Sequence, residues 1–201
     1  MKITVIGATG MIGSRIVAEA VRRGHEVTAV SRSGAASQGA AHAKAIEFGN
    51  TSKIAQAIDD SDATVIAVSP DRSGGSHDPI LKAHRDLIAA QPKGRALVVG
   101  GAGSLQVNGV ELKDMPGFPA LYHKEATTFS DVLAAYRASQ GLDWTLLSPA
   151  PMIAPGERSG SYRLGSDSPI GDSISAEDFA VAIIDELEKP AHIGKRFTVA
   201  N

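Results

Sequence analysis

Glycine recurs at every third position in Gly7-Ala-Thr-Gly10-Met-Ile-Gly13, close to the start of the chain. The preceding residues, Lys2–Ile6, are mostly β-branched and predict a buried strand, and an amphipathic helical pattern follows the glycines. Such a turn lets the backbone approach a pyrophosphate closely, and the helix offers the anion free N–H groups and a positive dipole end. The spacing differs from Gly-x-Gly-x-x-Gly because Thr9 takes the middle position. We therefore predict a dinucleotide diphosphate here, against the alternative of a tight turn without a ligand.

The end of the second predicted strand carries Val30-Ser31-Arg32-Ser33. An Asp or Glu at this place usually binds a free ribose 2′-hydroxyl, and no acidic residue is present here. A guanidinium group and hydroxyl groups can bind a 2′-phosphate through charge-assisted hydrogen bonds. The pattern predicts NADP(H) as the preferred cofactor, with NAD(H) as the alternative. Arg32 could instead be a solvated loop charge, or stack on the adenine without choosing between the cofactors.

Strand and helix patterns alternate along the rest of the chain, which predicts an α/β fold with a doubly wound parallel sheet of the Rossmann type. Helical patterns cover residues 12–21, 51–58, 77–90 and 121–139, and Ser175-Ala-Glu-Asp178 reads as a capping box that opens a last helix. The predicted strands are Lys2–Ile6, Glu26–Val30, Ala45–Phe48, Ala63–Val68, Ala96–Gly100, Trp144–Leu147 and Arg196–Val199.

Two segments interrupt the alternation, residues 101–120 and 148–173, and both follow the carboxyl ends of strands, where such sheets bind their ligands. We expect residues 1–201 to form a single domain in which residues 148–175 form a small irregular substrate cap. Tyr162 and Arg163 are candidates to line the pocket, and a solvated hairpin is the alternative.

Composition excludes several classes of protein. The 201 residues carry 20 Lys plus Arg against 22 Asp plus Glu, and this near-neutral balance argues against a nucleic-acid-binding protein. There is no cysteine, so disulfides, thiolate metal sites and a cysteine nucleophile are absent, and the six histidines show no metal-ligand spacing. We expect no metal site, no membrane segment and a cytoplasmic location.

Several later motifs resemble a known group. The chain contains Leu97-Val-Val-Gly-Gly-Ala-Gly-Ser104, Leu142-Asp-Trp-Thr-Leu-Leu-Ser-Pro149 and Pro155-Gly-Glu-Arg-Ser-Gly-Ser-Tyr162, besides Ile174–Ala180 and Arg196–Thr198. Together with the glycine turn they resemble the atypical short-chain dehydrogenase/reductase proteins, in particular the NADH-flavin reductase group related to biliverdin reductase B and NmrA-like proteins. The resemblance covers nearly the whole chain and implies a Rossmann-type fold with a bound dinucleotide.

The resemblance also implies positions for the cofactor. Gly7, Thr9, Gly10, Met11, Ile12 and Gly13 match the pyrophosphate turn, and Ser31 with Arg32 lies at the ribose. The remaining matched positions are Gly49 and Asn50 near the adenine, Ala67, Val68 and Ser69 on the adenosine side, Gly100 and Gly101 after the fifth strand, and Pro149, Ala150 and Met152 near the nicotinamide.

Catalytic candidates are fewer. Ser104 occupies the place of the group's active-site serine, although a turn-forming serine explains it almost equally well. The Tyr-x-x-x-Lys pair of the larger family is missing, because Ala126 stands four residues after Tyr122. Tyr122, His123 and Lys124 lie nearby, and Tyr122 is the candidate acid among them.

The missing pair favours acceptors that need little help from a protein acid. A ketone needs a proton for its developing alkoxide, whereas a flavin or quinone is already electrophilic. We therefore expect an NAD(P)H-dependent oxidoreductase that transfers hydride directly to a flavin, quinone or similar small-molecule electron acceptor. A non-catalytic NmrA-like redox sensor is the alternative, and an epimerase is disfavoured because it would usually use the same pair. Assembly into a homo-oligomer is also compatible with the sequence.

Overall fold

The computed structural model describes residues 1–201, and it has twelve strands and five α-helices in strand–helix alternation. The helices are α1 (Met11–Arg22), α2 (Thr51–Asp59), α3 (Asp78–Ala90), α4 (Ala120–Ala138) and α5 (Ala176–Glu188). The strands are β1 (Lys2–Ile6), β2 (Glu26–Ser31), β3 (His42–Ala45), β4 (Ala63–Ile66), β5 (Ala96–Val99), β6 (Gln106–Val107), β7 (Val110–Glu111), β8 (Trp144–Pro149), β9 (Met152–Ala154), β10 (Arg163–Gly165), β11 (Ser173–Ser175) and β12 (Lys195–Ala200).

Eight strands form the main sheet in the order β10-β12-β8-β5-β4-β1-β2-β3. All its neighbouring strands pair in parallel except β10, which lies antiparallel to β12 at one edge. The chain runs outward from β1 through β2 to β3, and then crosses to β4 on the other side of β1. This reversal between β1 and β4 is the point at which doubly wound sheets bind nucleotides.

Two hydrophobic clusters cover the two faces of the sheet, which confirms the doubly wound arrangement. The larger cluster packs α1 and α5 on one face through residues such as Ile16 and Phe179. The other packs α2, α3 and α4 on the opposite face, through residues such as Ile54, Leu87 and Val132. Near-continuous burial of β1, β4 and β8 follows from this double cover, because neither side of these strands reaches water.

The third strand lies three residues earlier than the sequence predicts, at His42–Ala45 instead of Ala45–Phe48. All four residues of β3 are exposed, so the strand exists through backbone pairing with β2 and not through apolar content. Ile46 donates one more backbone hydrogen bond to Ser31, and Phe48 is buried in the cluster of α2 and α3. Of the predicted run, Ala45 therefore belongs to the strand, and Phe48 belongs to the core.

The two segments that interrupt the alternation contain more regular structure than expected. Residues 101–120 include 3₁₀ turns at Ala102–Ser104 and Leu112–Asp114 and the hairpin of β6 with β7. In residues 148–175, β9 pairs in parallel with β11, and β10 extends the main sheet.

Candidate functional site

The glycine turn after β1 is closed so tightly that side chains have no room at two positions. A Cβ on Gly7, whose φ is +85°, would lie 2.3 Å from the carbonyl oxygen of Ala67. A Cβ on Gly13 would lie 2.0 Å from the carbonyl oxygen of Gly7. The turn itself is fixed because the amides of Gly7 and Ala8 donate to the Val30 carbonyl, at 2.9 and 3.1 Å. Glycine at these positions brings β1, β4 and α1 together at the reversal of strand order.

The start of α1 leaves its backbone donors uncapped. Gly10 is the N-cap residue and supplies no side-chain hydrogen bond, and no acidic residue lies in the first turn. The first hydrogen bond of the helix runs from the Ser14 amide to the Gly10 carbonyl, so the amides of Met11, Ile12 and Gly13 have no acceptor within the chain. Free N–H groups and the helix dipole together make this end a place for an anion such as a diphosphate.

The end of β2 presents one buried and one exposed polar side chain. Ser31 is 7% exposed, and its Oγ has no hydrogen-bond partner. Arg32, the next residue, is exposed and forms no ion pair or hydrogen bond within the chain. A buried hydroxyl without a partner is costly, so the Ser31 hydroxyl is available to bond a ligand atom placed at the end of β2. Ser31 and Arg32 therefore fit the ribose end of a dinucleotide.

The structure brings the other predicted cofactor residues to the same edge of the sheet, because each set follows the carboxyl end of a parallel strand. Asn50 is partly committed elsewhere, since its Oδ1 accepts the Lys53 amide and caps α2, at 3.3 Å. The positions concerned are Gly49 and Asn50 after β3, Ala67, Val68 and Ser69 after β4, Gly100 and Gly101 after β5, and Pro149, Ala150 and Met152 at the end of β8 and beyond it. Their individual contacts with a cofactor stay predictions.

Two of these positions have a second explanation in packing. A Cβ on Gly100 would lie 2.4 Å from the Leu146 side chain, and one on Gly101 would lie 3.3 Å from the Phe129 ring. The turn after β5 is therefore glycine-rich at least partly because β8 and α4 occupy the space beside it.

The loop between β4 and α3 joins this edge to the first turns of α4. Arg72 forms a two-bond ion pair with Glu125, at 2.8 and 3.1 Å, and Lys124 Nζ donates to the Gly75 carbonyl, at 2.7 Å. Lys124 is thus held by the loop. Tyr122 is 56% exposed, and its hydroxyl makes no hydrogen bond within the chain. Tyr122 stays a predicted acid, located where α4 begins.

Ser104 is placed differently from what a catalytic serine requires. It is 2% exposed, and Arg196 covers it from β12 by donating to its Oγ and to its carbonyl, both at 3.3 Å. The Arg196 side chain is fully buried and also contacts Ser148 and Asp167, so it joins the turn after β5 to β8. Burial lowers the pKa of Arg196 against the opposing effect of Asp167. This environment favours the turn-forming explanation of Ser104 over a catalytic one.

Tyr162 and Arg163, which are predicted to line the pocket, are hydrogen-bonded to other parts of the chain. The Tyr162 hydroxyl donates to Asp185 on α5, and burial with that carboxylate raises the pKa of Tyr162. Arg163 lies in the edge strand β10 and donates to the backbone of Asn201, at 2.7 Å. The reason is that the segment after β9 turns away along α1 and α5.

Charged residues outside the predicted set connect these parts. Arg15 on α1 donates to Glu177 on α5, at 2.9 Å, and to the Met11 carbonyl, at 3.0 Å. Glu177 also accepts the Gly156 amide, at 2.7 Å. These residues were not predictable from the sequence, because ion pairs between distant segments leave no periodic signal.

A mostly polar cavity lies away from the glycine turn. This cavity of about 150 Å³, bordered by Lys2, Thr28 and Lys44 among others, lies at the amino ends of β1 and β2, opposite the glycine turn. None of the helices combines the length and apolar character that crossing a membrane requires.

Comparison with known proteins agrees with this geometry. A model of the NAD(P)H-binding family matches residues 7–190. The uncharacterised protein YwnB of Bacillus subtilis (strain 168) is 40% identical over 213 residues, covering 100% of this chain and 99% of its own. A structure from Burkholderia pseudomallei, described as a "putative exported protein", is 40% identical with a TM-score of 0.89, and 100% of each chain is covered. A "putative NADH-flavin reductase" from Streptococcus pneumoniae TIGR4 is 33% identical with a TM-score of 0.86, covering 100% of this chain and 99% of that one.

Proposed function

Because the chain belongs to the NAD(P)H-binding family, we propose that it is an NAD(P)H-dependent oxidoreductase that prefers NADPH and reduces a flavin, a quinone or a similar planar acceptor. The observation that carries the proposal is the glycine turn at the strand-order reversal, where a Cβ on Gly7 or Gly13 would collide with backbone and the first amides of α1 are free. These features fit a diphosphate better than a structural turn, since a structural turn needs no uncapped donors.

The preference for NADPH is supported by Ser31 and Arg32. The Ser31 hydroxyl is buried and unsatisfied, so a ribose or phosphate oxygen would supply its missing partner. Arg32 is exposed and unpaired, and its guanidinium group can bind a 2′-phosphate through two parallel hydrogen bonds. An acidic residue, which would repel that phosphate, is absent from this end of β2.

The acceptor is inferred from what the nicotinamide end lacks. When bound, the reduced nicotinamide supplies a hydride, and the chain has to align the acceptor and exclude competing reactions. Large apolar side chains are exposed at the predicted nicotinamide edge, with Leu121 83% and Met152 68% exposed, and they suit a flat acceptor. Lys124 is held by Gly75 and Ser104 is buried, so Tyr122 is the side chain that could donate a proton, and solvent protonates a flavin or quinone without it.

The same lack of an acid–base pair favours a second candidate, a redox sensor that binds the cofactor without turnover. The two functions differ in a single measurable property, which is whether bound NADPH is oxidised by small acceptors. A sensor would bind the cofactor tightly and leave it unchanged.

The test is calorimetric titration with NADPH and with NADH, followed by an acceptor panel of riboflavin, FMN and simple quinones. We expect micromolar binding of NADPH, weaker binding of NADH, and steady NADPH oxidation with at least one acceptor. Absence of binding by both nucleotides at millimolar concentration would overturn the proposal. Tight binding without turnover on the whole panel would instead support the sensor.

A further inference from the structure

The segment between β9 and β10, residues 155–162, is fastened along one side of the two helices α1 and α5, and we call it the strap. Arg158, in the middle of the strap, forms a two-bond ion pair with Glu19 of α1, at 2.8 and 2.9 Å. The strap also contacts the first turn of α5, because Asp178 accepts the Ser159 hydroxyl and the Gly160 amide, at 2.6 and 2.7 Å. These contacts fix an otherwise irregular segment that has no strand pairing of its own.

Glu19 is an unusual anchor because it is a buried charge on a helix. Its side chain is 4% exposed, and it accepts hydrogen bonds from Arg22, the last residue of α1, and from Arg23, the C-cap, besides those from Arg158. Burial alone would raise the pKa of Glu19, but the bonds from the three arginines outweigh burial and hold the pKa well below its usual range. Arg158 is the one partner of Glu19 from outside α1 and its C-cap, so it alone connects Glu19 to the strap.

A second contact joins the near end of the strap to the glycine turn. Glu177 accepts the Gly156 amide through one carboxylate oxygen and Arg15 through the other. Arg15 in turn donates to the carbonyl of Met11, the first residue of α1. The strap is therefore connected to the very start of the helix that would hold the diphosphate.

The strap begins directly after β9, whose first residue, Met152, is predicted to lie near the nicotinamide. Met152 starts β9, which ends at Ala154, and the strap follows at Pro155. The strap therefore connects the end of β9 to α1 and α5, in addition to the pairing of β9 with β11. In the proposed complex the start of α1 would bind the diphosphate, and the end of β8 with β9 would bind the nicotinamide. The distance between these two parts of the protein then decides whether one dinucleotide reaches both.

We propose that Arg158, through Glu19, is a positioning residue that sets the nicotinamide end of the site relative to the glycine turn. The inference rests on the proposed function, because it assumes a dinucleotide that spans both parts. Arg158 lies on neither of the two parts that would bind the dinucleotide. Its removal should therefore weaken binding of the nicotinamide half and leave binding of the adenosine half unchanged.

The experiment compares Arg158→Met with Arg22→Met, which is a matched control. Arg22 also binds Glu19 through two hydrogen bonds, both at 3.0 Å, but it lies on α1 and does not touch the strap. Each variant removes one guanidinium group from the same carboxylate, and only Arg158→Met releases the strap. Both are titrated with NADPH and with 2′,5′-ADP, which lacks the nicotinamide half.

We expect Arg158→Met to weaken NADPH binding about three- to tenfold while the affinity for 2′,5′-ADP changes less than twofold. With a reactive acceptor, kcat should fall further than the affinity, about tenfold, because a small displacement of the reacting atoms is costly. Arg22→Met should change none of these values by more than twofold, and Arg158→Lys should recover part of the loss. Hydrogen exchange of the strap amides, Gly156 and Gly160 among them, should accelerate in Arg158→Met and not in Arg22→Met.

Two results would overturn the inference: equal effects of Arg158→Met and Arg22→Met, or equal losses for NADPH and 2′,5′-ADP. Failure of the proposed function looks different, because the unmodified protein would then bind no nucleotide. In that case the exchange comparison still decides whether Arg158 holds the strap.

Discussion

At the scale of residues, the Ser31 hydroxyl at the end of β2 bears most directly on the proposed cofactor site. Its buried Oγ has no partner, while most buried polar atoms in proteins are satisfied. Thr64 on β4 offers a comparison, because its Oγ1 is equally unsatisfied but lies in mid-strand, away from the carboxyl edge. The two hydroxyls should respond differently to removal if one of them belongs to a ligand site.

Ser31→Ala should leave the unfolding free energy of the ligand-free protein unchanged or raise it by about 1 kcal/mol, since it deletes an unsatisfied hydroxyl. NADPH affinity should fall about fivefold or more. Thr64→Val removes the other unsatisfied hydroxyl and should leave NADPH affinity unchanged. Urea denaturation and calorimetry measure both effects. An unchanged NADPH affinity in Ser31→Ala would place the ribose elsewhere.

Arg32 decides the choice between the two cofactors if the guanidinium group binds a 2′-phosphate. Arg32→Asp should reverse the preference, because a carboxylate repels the phosphate and accepts a hydrogen bond from a free 2′-hydroxyl. The ratio of the NADPH and NADH dissociation constants, measured at fixed ionic strength, is the readout. Equal affinity of the unmodified protein for both cofactors would remove Arg32 from this role.

Residue roles were predictable from the sequence where the backbone dictates the residue type. Gly7 and Gly13 are forced by contacts closer than any side chain allows, so their spacing carried the information. Ser104 shows the opposite case, since a serine after glycine and alanine can serve chemistry or structure. The choice depends on Arg196, which lies 92 residues away along the chain.

At the scale of elements, Gly13 has to serve both as a residue of α1 and as a close neighbour of the turn after β1. Gly13 lies inside α1, where replacing glycine by alanine normally stabilises a helix by about 1 kcal/mol. Here the added Cβ would overlap the Gly7 carbonyl oxygen. The helix therefore accepts an unfavourable residue so that it can begin next to the turn.

Gly13→Ala should lower the unfolding free energy by about 2 kcal/mol, opposite in sign to the usual helix substitution, because the backbone must move apart. It should also abolish measurable NADPH binding. Gly49→Ala is the control for stability, since its Cβ would meet no atom within 4 Å, and it should change the unfolding free energy by less than about 0.5 kcal/mol. A stabilised Gly13→Ala variant would show that the turn is looser than described.

The buried strands were predictable from the sequence, and the position of the exposed strand β3 was not. The strands β1, β4 and β8 are apolar because they are covered on both faces, whereas β3 is exposed along its whole length and has no apolar signal. The predicted capping box at the start of α5 is half right. Ser175 accepts the Asp178 amide as predicted, at 3.0 Å, but the Asp178 carboxylate binds the strap at Ser159. A local motif could not reveal that distant partner.

At the scale of the whole molecule, charge clusters add polar contacts between parts that the hydrophobic core already brings together. Arg23, the C-cap of α1, binds Asp185 and Glu188 of α5, at 2.7 and 2.8 Å, besides Glu19. With Arg158, this cluster unites both helices and the strap. Apolar packing holds α1 and α5 on the sheet. Within the strap Tyr162 packs against the same core, and the rest of the strap is held by polar contacts.

This dependence gives the molecule a defined response to acid. The pKa of Glu19 is below its ordinary value of 4.5 in the folded protein, so the unfolded chain takes up the proton first. The stabilisation from Glu19 is therefore complete above about pH 5.5 and is lost as the pH falls below 4.5 towards the folded pKa.

Glu19→Gln should cost about 3 kcal/mol of unfolding free energy at pH 7, because it leaves three arginines without their shared carboxylate. The difference in unfolding free energy between the unmodified protein and the variant should stay constant from pH 8 to about 5.5. It should become smaller as the pH falls from there to 3. Urea denaturation across this pH range measures the difference. The contributions of the other carboxylates cancel because both proteins carry them. Parallel curves down to pH 3 would mean that Glu19 titrates normally and that the strap is held by its contacts with α5 alone.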